Sequence, residues 1–277
     1  VRCRHIAEPQ IGRERIAMMT AYDAPTAALL DAAGVDVLLV GDSVEITVYG
    51  EPNTLTATMD TMVRHARAVA RATRRAVVVG DMPFLSYQTD PSRAVENAGR
   101  FLAEAGCAAV KLEGGKRILP AVEAILAADI PVMGHVGLTP QSYRKFGGFK
   151  VQGREADSAR QIREDAQALA GVGCFAIVLG CVPESISAAL TSELAIPTIG
   201  IGAGPSCDGP VLVFHDVVGL TRALTPRILR RYADLSTLIE RAAPAFTKEA
   251  TVGALPTHGD ALAGAQEREV VGTEGRA

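Results

Sequence analysis

The fold this sequence predicts is α/β, a (β/α)8 TIM barrel in a single domain, and three observations point to it. Eight short apolar runs punctuate the 277 residues. Stretches of helical length alternate with them, and polar residues able to do chemistry collect just after the runs. Runs that are apolar on both faces are what parallel strands need when helices cover the sheet. A doubly wound sheet would require a topological switch and would normally show a dinucleotide fingerprint. The best match, Gly200-Ile-Gly-Ala-Gly204, continues into Pro205 and Ser206, where helix-packing residues should stand.

The expected strands are 16–22, 35–41, 76–81, 108–113, 131–136, 174–181, 197–202 and 211–215. Between them the helices are expected at 24–33, 59–72, 91–105, 116–128, 156–171 and 184–194. Pro91 suits a first helical turn. Met59, Met62, Val63, Ala66, Val69 and Ala70 fall on one face of a 3.6-residue period. Segment 139–154 is polar and glycine-containing, long enough to act as a lid after strand five. The barrel domain is expected over 1–256, with a disordered Gly-, Ala- and Glu-rich tail at 257–277.

Composition excludes several function classes. A net charge of −3 without a basic cluster argues against nucleic acid or an anionic membrane as partner. The chain has no Trp and 4% aromatics, which predicts an aliphatic core. Five cysteines without a C-x-x-C pair support neither a zinc site nor a disulfide framework. With a polar start and no apolar run near the ~20 residues of a membrane span, the expectation is a cytoplasmic protein.

In a barrel of this kind chemistry sits at the C-terminal strand ends. Asp42 follows Val-Leu-Leu-Val-Gly and Asp81 follows Val-Val-Val-Gly, so two carboxylates can meet at one mouth. Hard oxygen ligands with open positions suit Mg²⁺, although each Asp could equally cap the next helix or turn. Lys111 and Glu113, two apart on a strand, point to the same side. They could bind a substrate carboxylate and a metal, or simply pair with each other. His135 ends strand five, whereas His65 lies within a helix and reads as a packed or solvated residue. The glycines at 200–204 fit a tight turn better than a phosphate loop.

Taken together, several segments resemble the 3-methyl-2-oxobutanoate (ketopantoate) hydroxymethyltransferase family, from about Met18 to about Pro256. They are Met19-Thr-Ala-Tyr-Asp23, Val40-Gly-Asp-Ser43, Asp81-Met-Pro-Phe84 with Ser86-Tyr87, and Lys111-Leu-Glu-Gly-Gly115. Further on come Gly134-His-Val-Gly-Leu-Thr-Pro-Gln-Ser142, Phe146-Gly-Gly-Phe-Lys-Val-Gln-Gly-Arg154, Gly200-Ile-Gly-Ala-Gly204, Cys207-Asp-Gly209 and Val213-Phe-His-Asp216. The resemblance implies transfer of a one-carbon unit from 5,10-methylenetetrahydrofolate to C3 of 3-methyl-2-oxobutanoate, through a Mg²⁺-stabilised enolate, on the route to pantothenate. It implies that Asp42 and Asp81 hold the metal and that Glu113 reaches it through water. Ser43 and Lys111 would bind the keto-acid carboxylate, with His135 lining the pocket. It also implies a ring-shaped homo-oligomer.

The pattern breaks in four places. Where the family has its general-base Glu before Cys-Val-Pro, this chain has Gly180. Glu45 stands where the family has a glycine, three residues from Asp42, and is a relocated base, a group reading a different substrate, or a solvent-facing drift. Where the family reads roughly Asp-Ser-Thr-Leu-Pro-Val-Thr, this chain has Pro52-Asn-Thr-Leu-Thr-Ala-Thr58, and Gly80 replaces the usual alanine. Two other functions are therefore weighed beside the first. One is a paralogue doing metal-dependent enolate or C–C chemistry on a different α-keto acid. The other is a catalytically silent binding or structural subunit.

Overall fold

A computed structural model describes Cys3, Ile6 and residues 15–221 and 230–254; the expected tail lies outside them. Eight parallel strands close into one barrel in sequence order, β1 to β8, with β8 hydrogen-bonded back to β1. They are β1 (Met18–Thr20), β2 (Val37–Val40), β3 (Val77–Asp81), β4 (Ala109–Glu113), β5 (Val132–Gly137), β6 (Ala176–Gly180), β7 (Thr198–Ile201) and β8 (Gly209–Leu212). The intervening helices are α1 (Ala24–Ala32), α2 (Val44–Thr47), α3 (Met59–Ala72), α4 (Pro91–Arg100), α5 (Leu119–Ala127), α6 (Tyr143–Phe146), α7 (Ala156–Gly171), α8 (Glu184–Glu193), α9 (Phe214–Val217) and α10 (Leu235–Thr251).

The two-residue period of a strand splits the core into two layers. Val37, Leu39, Val77, Val79, Ala109, Met133, Ala176, Val178, Ile199 and Val211 fill the inside of the barrel. Leu38, Val40, Val78, Val110, Leu112, Val132, Ile177 and Leu179 face outward against the helices. The second set explains why the strands read as continuous apolar runs. It also puts Lys111 and Glu113 inside, with Leu112 opposite.

Helix starts follow local chemistry. Asp23 caps α1 by accepting from the Thr26 N–H, and Asp90 caps α4 by accepting from the N–H groups of Ser92 and Arg93. Both helices then have proline in the first turn. The expected 91–105 helix loosens into a π turn at Phe101–Ala105. That turn carries the Phe101 ring against β3, and a Cβ at Gly80 would run into it, which accounts for glycine there.

Two expectations change. Strand eight ends at Leu212, so His215 lies in α9 rather than at a strand end. Segment 139–154 is not structureless: it begins with a 3₁₀ turn at Pro140–Ser142 and runs into α6.

Candidate active site

The side chains that end β2, β3, β4 and β5 meet inside the barrel mouth. Asp42, Asp81, Lys111, Glu113 and His135 are all buried. One oxygen from each of Asp42, Asp81 and Glu113 lies within 4.8 Å of the others. Lys111 Nζ donates to Asp81 Oδ1 at 2.5 Å and to Glu113 Oε1 at 3.3 Å. The Asp42 N–H donates to Asp81 Oδ2 at 3.2 Å. His135 Nδ1 lies 3.2 Å from Glu113 Oε1. A carboxylate only accepts, so this contact puts a proton on Nδ1, and in the neutral ring the lone pair is then on Nε2. Nε2 is buried and has no hydrogen-bond partner among the described residues.

The electrostatics mark an unbalanced site. Three carboxylates face one ammonium, and burying charge without a partner is costly. Burial, together with the neighbouring Asp81 and Glu113 charges, raises the Asp42 carboxyl well above its ordinary value. Burial also raises Asp81, against the pull of Lys111. At Glu113 burial is outweighed by Lys111, by the His135 contact and by the Gln141 N–H, and its pKa falls to about 2. Lys111 is held protonated, its burial outweighed by Asp81, Glu113 and Asp42. An all-oxygen donor set with excess negative charge fits a hard divalent cation.

A cation held here would have to displace the proton from Asp42, so affinity for a hard divalent ion such as Mg²⁺ should rise as pH climbs through that raised pKa. The carboxyl is raised on folding, so its protonation stabilises the metal-free fold at low pH, and that stabilisation is lost as pH rises through the folded value. Melting curves with and without Mg²⁺ should therefore diverge as pH increases; a constant gap would contradict it.

Other expected residues fall nearby. Ser43 Oγ shares a 2.7 Å hydrogen bond with Tyr22 Oη, linking the ends of β1 and β2. His65 is a tie between elements, with Nδ1 2.6 Å from the Tyr22 carbonyl and Nε2 2.9 Å from Tyr49 Oη. Gly202 and Gly204 have positive φ, as a tight turn demands. Glu45 is buried, which overturns the solvent-facing alternative. Its Oε2 accepts from the Thr56 hydroxyl at 3.0 Å. Glu45 and Thr56, two of the departures that the resemblance implies, are thus one hydrogen-bonded pair.

Gly180 ends β6 inside the barrel, and the room beside it is not empty. A Cβ there would collide with the Leu138 carbonyl oxygen and come within 2.7 Å of His135 Nε2. The Leu138 N–H also donates to the Gly180 carbonyl at 2.7 Å. Sequence reasoning assigns Gln141 and Tyr87 no role, although each lies in a family-like motif. Gln141 Nε2 donates to Asp42 Oδ2, and Tyr87 Oη accepts from the Glu113 N–H.

A family model described as ketopantoate hydroxymethyltransferase matches residues 1–258. The chain belongs to the ketopantoate hydroxymethyltransferase family. It is 52% identical over 244 residues to the 3-methyl-2-oxobutanoate hydroxymethyltransferase of Syntrophomonas wolfei, covering 88% of each chain. It is 51% identical to that of Geotalea daltonii, covering 90% of this chain and 93% of the relative. Among solved structures, phosphonopyruvate hydrolase in complex with oxalate and Mg²⁺ aligns with TM-score 0.60 at 15% identity, over 93% of this chain and 91% of that one. The structure of 2,3-dimethylmalate lyase aligns with TM-score 0.58 at 17% identity, over 91% and 85%. These likenesses show the shared barrel. The chain is thus an enzyme of the hydroxymethyltransferase family, and the relatives favour neither the divergent paralogue nor the silent subunit.

Proposed function

We propose that the protein moves a hydroxymethyl group from 5,10-methylenetetrahydrofolate to C3 of 3-methyl-2-oxobutanoate, giving ketopantoate for pantothenate synthesis in the cytoplasm. The observation that carries this reading is the buried Asp42–Asp81–Glu113 group with Lys111 at its centre. Asp42 and Asp81 would hold Mg²⁺, and Glu113 would reach it through water. Such a cation supplies Lewis acidity at the keto oxygen, where charge builds as C3 loses a proton.

The protein's own groups do the rest. Lys111 spends two of its three N–H donors on Asp81 and Glu113, leaving one for the substrate carboxylate. Ser43, oriented by Tyr22, offers a second donor. His135 is the group we assign to accept the C3 proton, at Nε2. Glu113 holds its ring by Nδ1, and Nε2 faces the position where the family's Glu would begin. Glu45 is turned to Thr56, so Glu45→Gln should leave kcat within about three-fold; a loss on the ~10²–10⁴ scale of a general base would move that role from His135 to Glu45.

The test is ketopantoate formation by the purified protein with Mg²⁺, 3-methyl-2-oxobutanoate and methylenetetrahydrofolate. Absence of product from folded, metal-loaded protein would overturn the reading. Among the described residues no helix is long and apolar enough to cross a membrane. A homo-oligomer is part of the proposal. Along α10 no residue is buried, and Leu238, Ile239 and Phe246 are more than half exposed, an apolar face of the kind that subunit contacts cover. Light scattering should find a multimer.

A further inference from the structure

Gln141 makes more specific contacts than a packing role would need. It sits in the 3₁₀ turn after β5, buried at 6% exposure. Its Nε2 donates to Asp42 Oδ2 at 3.1 Å and to the Met82 carbonyl at 2.9 Å. Its Oε1 accepts from Tyr87 Oη at 2.8 Å and from Gln88 Nε2 at 3.0 Å. Its backbone N–H donates to Glu113 Oε2 at 3.0 Å. Every donor and acceptor of the carboxamide is used, and a flipped amide would set oxygen against two acceptors, so its orientation is determined.

One residue therefore aims two of the three carboxylates, from strands β2 and β4, and braces itself on the end of β3. Asp42 Oδ1 makes no hydrogen bond among the described residues, so the bond at Oδ2 fixes which oxygen is presented to the site. The same residue opens the 139–154 segment. Ser142 next to it accepts from Arg117 at 3.2 Å, and at the far end the Gln152 N–H donates to the Cys181 carbonyl at 2.9 Å. The segment is thus pinned to the mouth at Gln141, and from Tyr143 to Gln152 none of its residues is buried.

We infer that Gln141 is a positioning residue that couples cation binding to the order of the 143–154 lid. A hydrogen bond to an ionised carboxylate is about twice as strong as a neutral one. Whatever the lid gains from a cation-bearing Asp42, the cation gains equally from the seated lid, because such coupling is reciprocal. This rests on the proposed metal site.

The experiment measures Mn²⁺ binding to the full chain by the resonance of free Mn²⁺, with hydrogen exchange of residues 143–154 followed with and without Mn²⁺. The parent should bind and should protect the segment on binding. Gln141→Met, which keeps the backbone N–H to Glu113, should bind about ten-fold more weakly, the usual scale for an outer-shell ligand partner. It should also lose the Mn²⁺-dependent protection while its folded fraction keeps a parent-like exchange pattern in α3 and α7. A merely structural role would lower the melting temperature and leave the affinity of the folded fraction alone. If Gln141→Met does not fold, Tyr87→Phe, which removes one of the two donors to Gln141 Oε1, should show the same two losses in smaller measure. If the parent binds no Mn²⁺, the metal-site reading falls and this one with it. If the parent binds and the variants match it within two-fold, or if the parent's lid exchange ignores Mn²⁺, this inference alone is overturned.

Discussion

Lys111→Met is expected to destabilise the protein by about 3–5 kcal/mol, the cost of breaking a buried ion pair from one side. Turnover should vanish with it. Lys111 is 4% exposed, and its ammonium is the cation that Asp81 and Glu113 both touch. Methionine fills similar space and preserves the packing, so the loss isolates charge. In the variant, three carboxylates share a buried site without that cation, and they must take up protons to stay folded. Asp42 and Asp81 rise further, Glu113 is no longer held down by Lys111 and rises too, and the variant's stability falls as pH climbs through those values, so the deficit should widen from acid to neutral pH. A lowering of Tm by roughly 5–9 °C near neutrality corresponds to that loss in a domain of this size. Mg²⁺ should recover part of it, because a divalent cation replaces the missing positive charge. Thermal melts of parent and variant at two pH values, with and without Mg²⁺, decide the matter. A loss under 1 kcal/mol at neutral pH would mean that Lys111 is not the electrostatic centre of the site.

Much of this arrangement is legible in the amino-acid sequence, for a physical reason. Strand ends and side-chain parity are local properties, so an apolar run followed by Asp42 or Asp81 locates a carboxylate at a barrel mouth. The spacing of Lys111 and Glu113 puts both inside with Leu112 outside, and the folded chain has them there. What stays hidden are pairings between distant positions. Gln141 and Asp42 are 99 residues apart, and neither residue's neighbourhood reveals the contact. Glu45 looks like an isolated departure until Thr56 is seen donating to it. The apolar neighbours of His215 continue a run and so suggest a strand end. Phe214–Val217 nevertheless turn into a short helix, with the Phe214 N–H donating to the Thr20 hydroxyl of β1. The ordered start of the lid leaves no local signal either, because its order comes from the mouth beneath it and not from its own composition.

The same distinction governs how Gly180 should be tested. Read as a sequence, Gly180 is a missing carboxylate, and Gly180→Glu looks like a restoration that should raise the rate. In the folded chain the backbone at Leu138 and the imidazole of His135 already stand where that side chain would start. The added Cβ must displace the Leu138 carbonyl, whose own N–H is bonded to the Gly180 carbonyl, and must press on His135 Nε2. Gly180→Glu is therefore expected to lower kcat. His135→Asn should lower kcat by about 10²–10⁴-fold, the range for loss of a positioned base. Its KM for 3-methyl-2-oxobutanoate should change far less, because Lys111 and Ser43 are untouched. Deuterium exchange at C3 of the keto acid reports the proton step without the folate, and it should fall in parallel with kcat in His135→Asn. If His135→Asn exchanges at the parent rate while Gly180→Glu gains ten-fold or more, the imidazole is a wall and not a base. The carboxylate absent from β6 would then be what limits this enzyme.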